Sequence, residues 1–149
     1  MADADIRERF LDHHARLRGK AEVLEALARR ILRGDEDLGS ALRLKGEEIQ
    51  EHLIRHMKWE EEHLLPLLRL SGHSELAAEV AEKHLAQRER LASDLLTLQG
   101  AERQPTPLAN HILDLLRGFK LEMHSEEENV LNALSSIRDE AASHREKPR

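Results

Sequence analysis

Two pairs of side chains in this sequence have the spacing of metal ligands. His56 and Glu60 lie four positions apart, and so do His124 and Glu128. In a helix, side chains at i and i+4 share one face, so each pair can bind a cation from a single helix. Neutral imidazoles and ionised carboxylates are ligands for iron, manganese and zinc. The spacing therefore predicts transition-metal binding.

The sequence contains no thiol that could serve as a metal ligand. The chain contains ten histidines and no cysteine. The missing thiol excludes disulfides, thiolate catalysis and cysteine-ligated zinc or iron–sulfur sites. Histidine is the commonest metal ligand near neutral pH. A metal site in this protein must therefore be built from imidazoles and carboxylates.

The remaining composition is that of a helical protein. The 149 residues are 35% charged and only 2% aromatic, which favours one domain of long helices over a sandwich or barrel. Breaks rich in Gly, Pro, Ser and Asp delimit predicted helices at about residues 4–33, 37–70, 74–99 and 107–138. Short connections predict an all-α, up-down-up-down antiparallel four-helix bundle over residues 1–138. We expect a kink or local end at Pro66 and a polar, frayed tail over residues 139–149.

Histidines fall on the predicted inner faces of all four helices. In the first helix, apolar residues from Phe10 to Ile31 recur at steps of three and four, and His14 fills the gap in the series. The other three apolar stripes pass through His56, Glu60 and His63, through His84, and through His124 and then between Glu127 and Glu128. Burying such groups unpaired costs on the order of several kcal/mol, which a bound cation offsets.

These positions define a set of candidate ligands. A single histidine on an apolar stripe is more often a core residue than a ligand, and parts of the runs Glu60–Glu62 and Glu126–Glu128 are expected to be solvated. Contributions from four helices favour metal binding instead. His13 is expected at the surface, and His73, His111 and His144 in loops or solvent. The candidates are His14, His56, Glu60, His84, His124 and Glu128, with His52, His63 and Glu127 as alternatives.

Three stretches resemble the hemerythrin-like, or HHE cation-binding, family. They are residues 12–18, where Leu-Arg follows His14 by three and four positions, residues 56–66 and residues 123–128, and the resemblance spans about 6–138. It implies a di-iron centre bridged by carboxylates and an oxo or hydroxo group, which binds O₂, peroxide or nitric oxide. Zinc or manganese are alternatives to iron. The register to Val130 favours Glu127 as the last ligand, whereas the i+4 spacing from His124 favours Glu128.

The resemblance also implies an asymmetric site. The third helix carries His84 alone, with Val80 and Arg88 one turn on either side, where the family places two histidines. His52, His63 or water would fill that position, leaving one metal open to a small ligand. A ferritin-like carboxylate site would need Glu-x-x-His on two helices, and only Glu60-x-x-His63 has that order.

Charge and hydropathy narrow the range of functions. A net charge of −6 without a basic run argues against nucleic-acid binding. The sequence has no apolar run of about 20 residues and no signal-peptide pattern, which predicts a cytoplasmic protein without a membrane span. The resemblance implies a protein for sensing, storage, or iron and oxidative-stress handling. The alternatives are an enzyme that reduces peroxide or nitric oxide at the same centre, and a metal-free helical interaction protein.

Overall fold

Four helical rods form the protein. The computed structural model describes residues 3–99 and 103–146, without the side chains of Asp3, Leu95, Leu96 and residues 143–146. The second rod is interrupted, and a short 3₁₀ turn, Glu36–Leu38, precedes it. The helices are α1 (Asp3–Leu32), α2 (Gly39–Trp59), α3 (Leu65–Leu70), α4 (Ser74–Leu98) and α5 (Pro105–Glu146). The predicted all-α four-helix bundle is confirmed.

Glycine ends the first two rods. Gly34 and Gly72 have φ values of 121° and 85°, which side chains with a Cβ rarely adopt. After α1, the amide of Asp35 donates to the carbonyl of Arg30, and the amide of Gly34 donates to that of Ile31. Residues 68–73 repeat this pattern at the end of α3. Both turns satisfy carbonyls that a helix end leaves free, and they reverse the chain for antiparallel packing.

A π-helical turn, Glu60–Leu64, connects α2 to α3. It lies just before Pro66, whose ring disfavours the normal bonding of the preceding turn. The amide of Leu65 donates to the carbonyl of Glu60, five residues back. The extra residue in this turn keeps His56, Glu60, Leu64 and Leu68, spaced by four, on one buried face.

The core consists of two apolar clusters with a polar layer between them. One cluster contains Phe10, Leu64, Val80 and Val130, and the other contains Leu24, Leu42, Leu98 and Leu116, each with further neighbours. The buried polar side chains His14, His56, Glu60 and His84 come from sequence positions between those of the two clusters. The ionisable groups therefore lie in the middle of the bundle, between two apolar parts of its core.

Most helix limits agree with the predicted segments to within two residues. The exception is α5, which continues to Glu146 although the predicted fourth helix stops at 138. Gly100 in the predicted third break, the side chain of His144 and the last three residues of the predicted tail lie outside the described part. Within residues 3–99 and 103–146, no helix combines the length and apolar character needed to cross a membrane.

Candidate metal centre

Two histidines from neighbouring helices meet in the polar layer. His14 on α1 and His56 on α2 are buried, and their Nε2 atoms lie 3.1 Å apart. His14 follows Phe10 by one turn, and the two rings are in contact with centroids 4.3 Å apart. The regular apolar stripe of α1 thus fixes the level at which the imidazole enters the core.

Glu60 lies at the centre of the cluster. Its side chain is fully buried, with Oε1 in contact with His56 Nε2 and 4.0 Å from His14 Nε2. Its other oxygen, Oε2, lies 3.4 Å from Nε2 of His84 on α4. Neither oxygen accepts a hydrogen bond of acceptable geometry. A buried carboxylate with imidazoles on both sides and no hydrogen bond has the environment of a metal ligand.

Glu126 on α5 completes a four-residue group. Its Oε1 lies 3.2 Å from His14 Nε2 and 3.9 Å from His56 Nε2, and the side chain is only 13% exposed. One ligand atom from each of His14, His56, Glu60 and Glu126 lies within 4.8 Å of the others.

These separations match those around a bound cation. Metal–ligand bonds of about 2.1 Å place adjacent ligand atoms about 3.0 Å apart and opposed ones about 4.2 Å apart. The distances from His14 Nε2 to His56, Glu126 and Glu60 are 3.1, 3.2 and 4.0 Å. The separations from His14 are therefore those expected around one cation, although His56 and Glu60 lie closer together than two ligands of one cation would.

Carboxylates lie beside the outer nitrogens of two histidines. His14 Nδ1 donates to Glu127 Oε1 at 3.0 Å, and the other Glu127 oxygen is 2.6 Å from Arg18. His84 Nδ1 lies 3.5 Å from Glu61, which accepts a hydrogen bond from Arg88. Carboxylates in this position fix the tautomer and direction of a ligating imidazole. Both Nε2 atoms are thereby directed towards Glu60.

His56 is supported by aromatic neighbours instead. Its Nδ1 lies 3.0 Å from Nδ1 of His13, and its ring is stacked near Trp59 with centroids 6.3 Å apart. The ring of His13 meets the edge of the same indole at 4.8 Å. His13 was expected at the surface, but it is half-buried and contacts a candidate ligand.

The acids raise the pKa values of the two central histidines. Burial works against the imidazolium of His14, but the adjacent carboxylates of Glu126 and Glu60 outweigh it and raise the pKa from 6.5 to about 9. The pKa of His56 rises for the same reasons. Burial alone would raise the pKa of Glu60, yet His14, His56 and His84 hold it well below its usual value. Without a cation, protons neutralise this cluster, and a metal ion takes their place on binding.

A second part of the site lies beside His84. A cavity of about 10 Å³, room for one water-sized particle, is lined by the four-residue group and by His84, Gln87 and Glu122. Gln87 donates a hydrogen bond of 3.0 Å to Glu122. The His84 side therefore offers fewer imidazoles than the His14 side.

The structure does not bring His124 and Glu128 to this cluster. Their side chains are 69 and 67% exposed, and they lie 3.4 Å from each other on the outer face of α5. The prediction that they face the core was wrong: of the three leucines that define the predicted stripe of the fourth helix, Leu113 and Leu131 are only half-buried and Leu134 is buried. The buried positions Leu116, Met123, Val130 and Ile137 recur every seven residues. That register turns Glu126 and Glu127 inwards.

The three alternative ligands have other positions. Glu127 binds the outer nitrogen of His14. His63 is half-buried with its ring 5.8 Å from that of Trp59, because the π-helical turn moves it off the stripe. His52 lines a groove between α1 and α2 that also contains His13 and His56, and its Nδ1 is buried without a hydrogen bond. Neither histidine occupies the place beside His84.

Sequence reasoning missed three acidic residues of the site. The sequence-based ligand set contains none of Glu126, Glu61 and Glu122, and the run Glu126–Glu128 is expected to be partly solvated. A signal for Glu126 was present, because it precedes Val130-Leu131 as Glu60 precedes Leu64-Leu65. The spacing Glu122-x-x-x-Glu126 likewise places both carboxylates on one face.

Comparison with known proteins identifies the family. The hemerythrin HHE cation binding domain matches residues 5–145, nearly the whole chain. No curated protein and no solved structure matches significantly. The match agrees with an all-α bundle that gathers histidines and carboxylates in its core. The chain belongs to the hemerythrin HHE cation-binding domain family.

Proposed function

We propose that this protein binds two iron ions in the core of the bundle and uses them to bind O₂ or a related small ligand, namely peroxide or nitric oxide. The observation that carries the proposal is the position of Glu60. Its carboxylate is fully buried, accepts no hydrogen bond, and presents one oxygen to His14 and His56 and the other to His84. Such a carboxylate can bridge two cations.

The first ion would be held by His14, His56, Glu60 and Glu126. Two imidazoles with carboxylates are a ligand set that non-haem iron uses, and zinc or manganese also accept it. Glu127 and Arg18 hold His14 in the orientation that binding requires. The apolar clusters on both sides restrict the access of water to the site.

The second ion would be held by Glu60 and His84, with Glu122 at the same small cavity. This side has one imidazole where the other has two, which leaves room for a ligand from solution. Bound iron supplies the redox chemistry that O₂, peroxide and nitric oxide require. A role in sensing, storage, or iron and oxidative-stress handling follows from such binding.

The test is anaerobic loading with ferrous iron, followed by metal analysis and visible spectra before and after addition of O₂, peroxide or nitric oxide. We expect about two irons per chain and new absorption bands on adding a ligand. Glu60→Gln keeps the size of the side chain but removes its charge, and it should lower the iron content to below about one per chain. The matched control is Glu62→Gln, whose side chain is 54% exposed and should have no effect.

The outcomes separate the parts of the proposal. Wild-type protein that stays free of metal would support the metal-free interaction protein instead. Full iron content in Glu60→Gln would contradict the bridging position. Iron-loaded protein whose spectrum is unchanged by all three ligands would contradict the ligand-binding role.

A further inference from the structure

A larger cavity lies beside the metal centre. It has a volume of about 300 Å³ and runs between α2, α4 and α5. Gly46 and Gly118, which have no side chains, form part of its wall. The remaining wall is mainly apolar, with aliphatic side chains that include Leu53, Leu91, Ile112 and Leu115 and the aromatic ring of Phe119.

The wall contains the polar residues Gln50 and Asp114, and its other polar side chains contact one another. Arg90 lies 3.1 Å from Glu122, which also accepts the hydrogen bond from Gln87. His111 lies 3.6 Å from Asp94. The two basic side chains of the wall, Arg90 and His111, are thus committed to acids. The cavity therefore offers no free cation to an anionic ligand.

We propose that this cavity binds an uncharged, apolar organic molecule of about the size of two fused aromatic rings. An enclosed apolar cavity of about 150 Å³ binds benzene, and the cavity here, which is partly open to solvent, has about twice that volume. An aliphatic wall gains free energy by covering apolar surface, whereas it offers a charged molecule nothing in exchange for its hydration.

The position of the cavity connects this ligand to the metal centre. Leu53, Gln87, Phe119 and Glu122 line both this cavity and the small cavity beside His84. A molecule in the larger cavity would contact the same side chains that border the open side of the metal site. Given the proposed function, this makes it a candidate substrate or effector of the metal centre, although its binding does not require metal.

Gly118 provides a direct test. A Cβ at this position would meet no atom within 4 Å, so the backbone leaves room for the first atom of the side chain that Gly118→Leu adds to the wall. The matched control is Gly19→Leu, because Gly19 is also helical with open space around it but lies on α1, away from the cavity. Leu115→Trp enlarges a second wall residue should Gly118→Leu fail to fold.

The probe is naphthalene, titrated into the iron-loaded and the metal-free protein and followed by amide chemical shifts in NMR spectra. We expect saturable binding to both forms of the wild type and to Gly19→Leu, with shifts at residues of the cavity wall. Gly118→Leu or Leu115→Trp should weaken binding at least about tenfold, because the added side chain occupies the space. Naphthalene-1-sulfonate should bind more weakly than naphthalene.

No saturable binding to the wild type, or equal binding to Gly118→Leu and Leu115→Trp, would overturn the proposal. Preferred binding of the sulfonate would show that the ligand is an anion and would overturn it as well. Metal analysis of the same samples keeps the two proposals apart, since naphthalene binding without iron uptake refutes only the iron site.

Discussion

Glu127 Oε1 lies 3.0 Å from His14 Nδ1, so a carboxylate of α5 fixes an imidazole of α1. Arg18, one turn after His14, contacts the other oxygen of the same carboxylate. On α4, Arg88 has the same spacing from His84 and contacts Glu61, which lies beside that imidazole. In both His-x-x-x-Arg segments, an acid from another helical segment contacts the arginine and lies beside the outer nitrogen of the histidine, but only His14 donates a hydrogen bond to that acid.

This relationship predicts different effects for two adjacent glutamates. Glu127→Ala should weaken metal binding roughly 10- to 100-fold, because His14 loses the group that fixes its tautomer and direction. Glu128→Ala should leave affinity unchanged, since Glu128 is exposed and contacts only His124 among the described residues. Competition with a chelator measures both affinities. Equal losses in the two variants would contradict the observed register of α5.

The histidines offer a similar comparison. His56→Ala removes a buried imidazole that contacts His14 and Glu60, so we expect it to abolish binding of the first metal ion. His124→Ala changes an exposed side chain and should retain the wild-type metal content. Elemental analysis after loading with ferrous iron gives the stoichiometry. A loss of metal in His124→Ala would contradict the observed register of α5 and return His124 to the ligand set, and retention of metal in His56→Ala would remove His56 from it.

The sequence was sufficient to predict α1 and its contribution. Residues from Phe10 to Ile31 on the predicted stripe are all buried, and His14 lies among them. This helix is regular and its stripe has apolar residues on both sides of the histidine, so neighbouring turns fix the register. The same reasoning correctly placed His84 inside, because Ala77 and Leu98 are buried before and after it.

The sequence was insufficient where the helical period changes or the stripe is ambiguous. The predicted stripe through His56, Glu60 and His63 continues at steps of four and three to Leu70. The π-helical turn adds a residue after Trp59, so Leu64 and Leu68 are buried instead and Leu70 is 88% exposed. A sequence does not show such a turn, although Pro66 indicates a disturbance. On α5, leucines lie before and after the three consecutive glutamates, so the sequence allows more than one apolar stripe. If the predicted stripe is shifted by one position, Glu128 is placed inside and Glu126 outside, which is the reverse of what the structure shows.

The pKa shifts predict the pH dependence of the metal-free protein. The pKa of His14 is raised to about 9, so its stabilising effect is complete below 6.5 and is lost as the pH rises through 9. The pKa of His13 is lowered to about 4, chiefly by burial and then by His56, so protonation below 6.5 favours unfolding. We therefore expect the metal-free protein to be most stable near pH 6.5. Its stability should fall at lower pH because of His13 and at higher pH because of His14.

Thermal unfolding of chelator-treated protein across pH 4 to 9, about the range set by these two pKa values, measures this dependence. The variant His13→Asn should flatten the acidic limb and leave the alkaline limb intact. Bound metal should flatten the alkaline limb, because the cation replaces the proton on His14. Stability that rises steadily towards pH 9 without metal would contradict the environment described for His14.

The glycines should respond to alanine with opposite signs. Gly34 has a φ of 121°, so Gly34→Ala strains the turn after α1 and should lower the free energy of unfolding by about 1 kcal/mol. Gly19 lies within α1, where a Cβ would meet no atom within 4 Å. Gly19→Ala should therefore raise the free energy of unfolding by about 0.5–1 kcal/mol through its helix propensity. Urea unfolding of the metal-free proteins gives both values, and a gain in Gly34→Ala would show that α1 does not end in the observed turn.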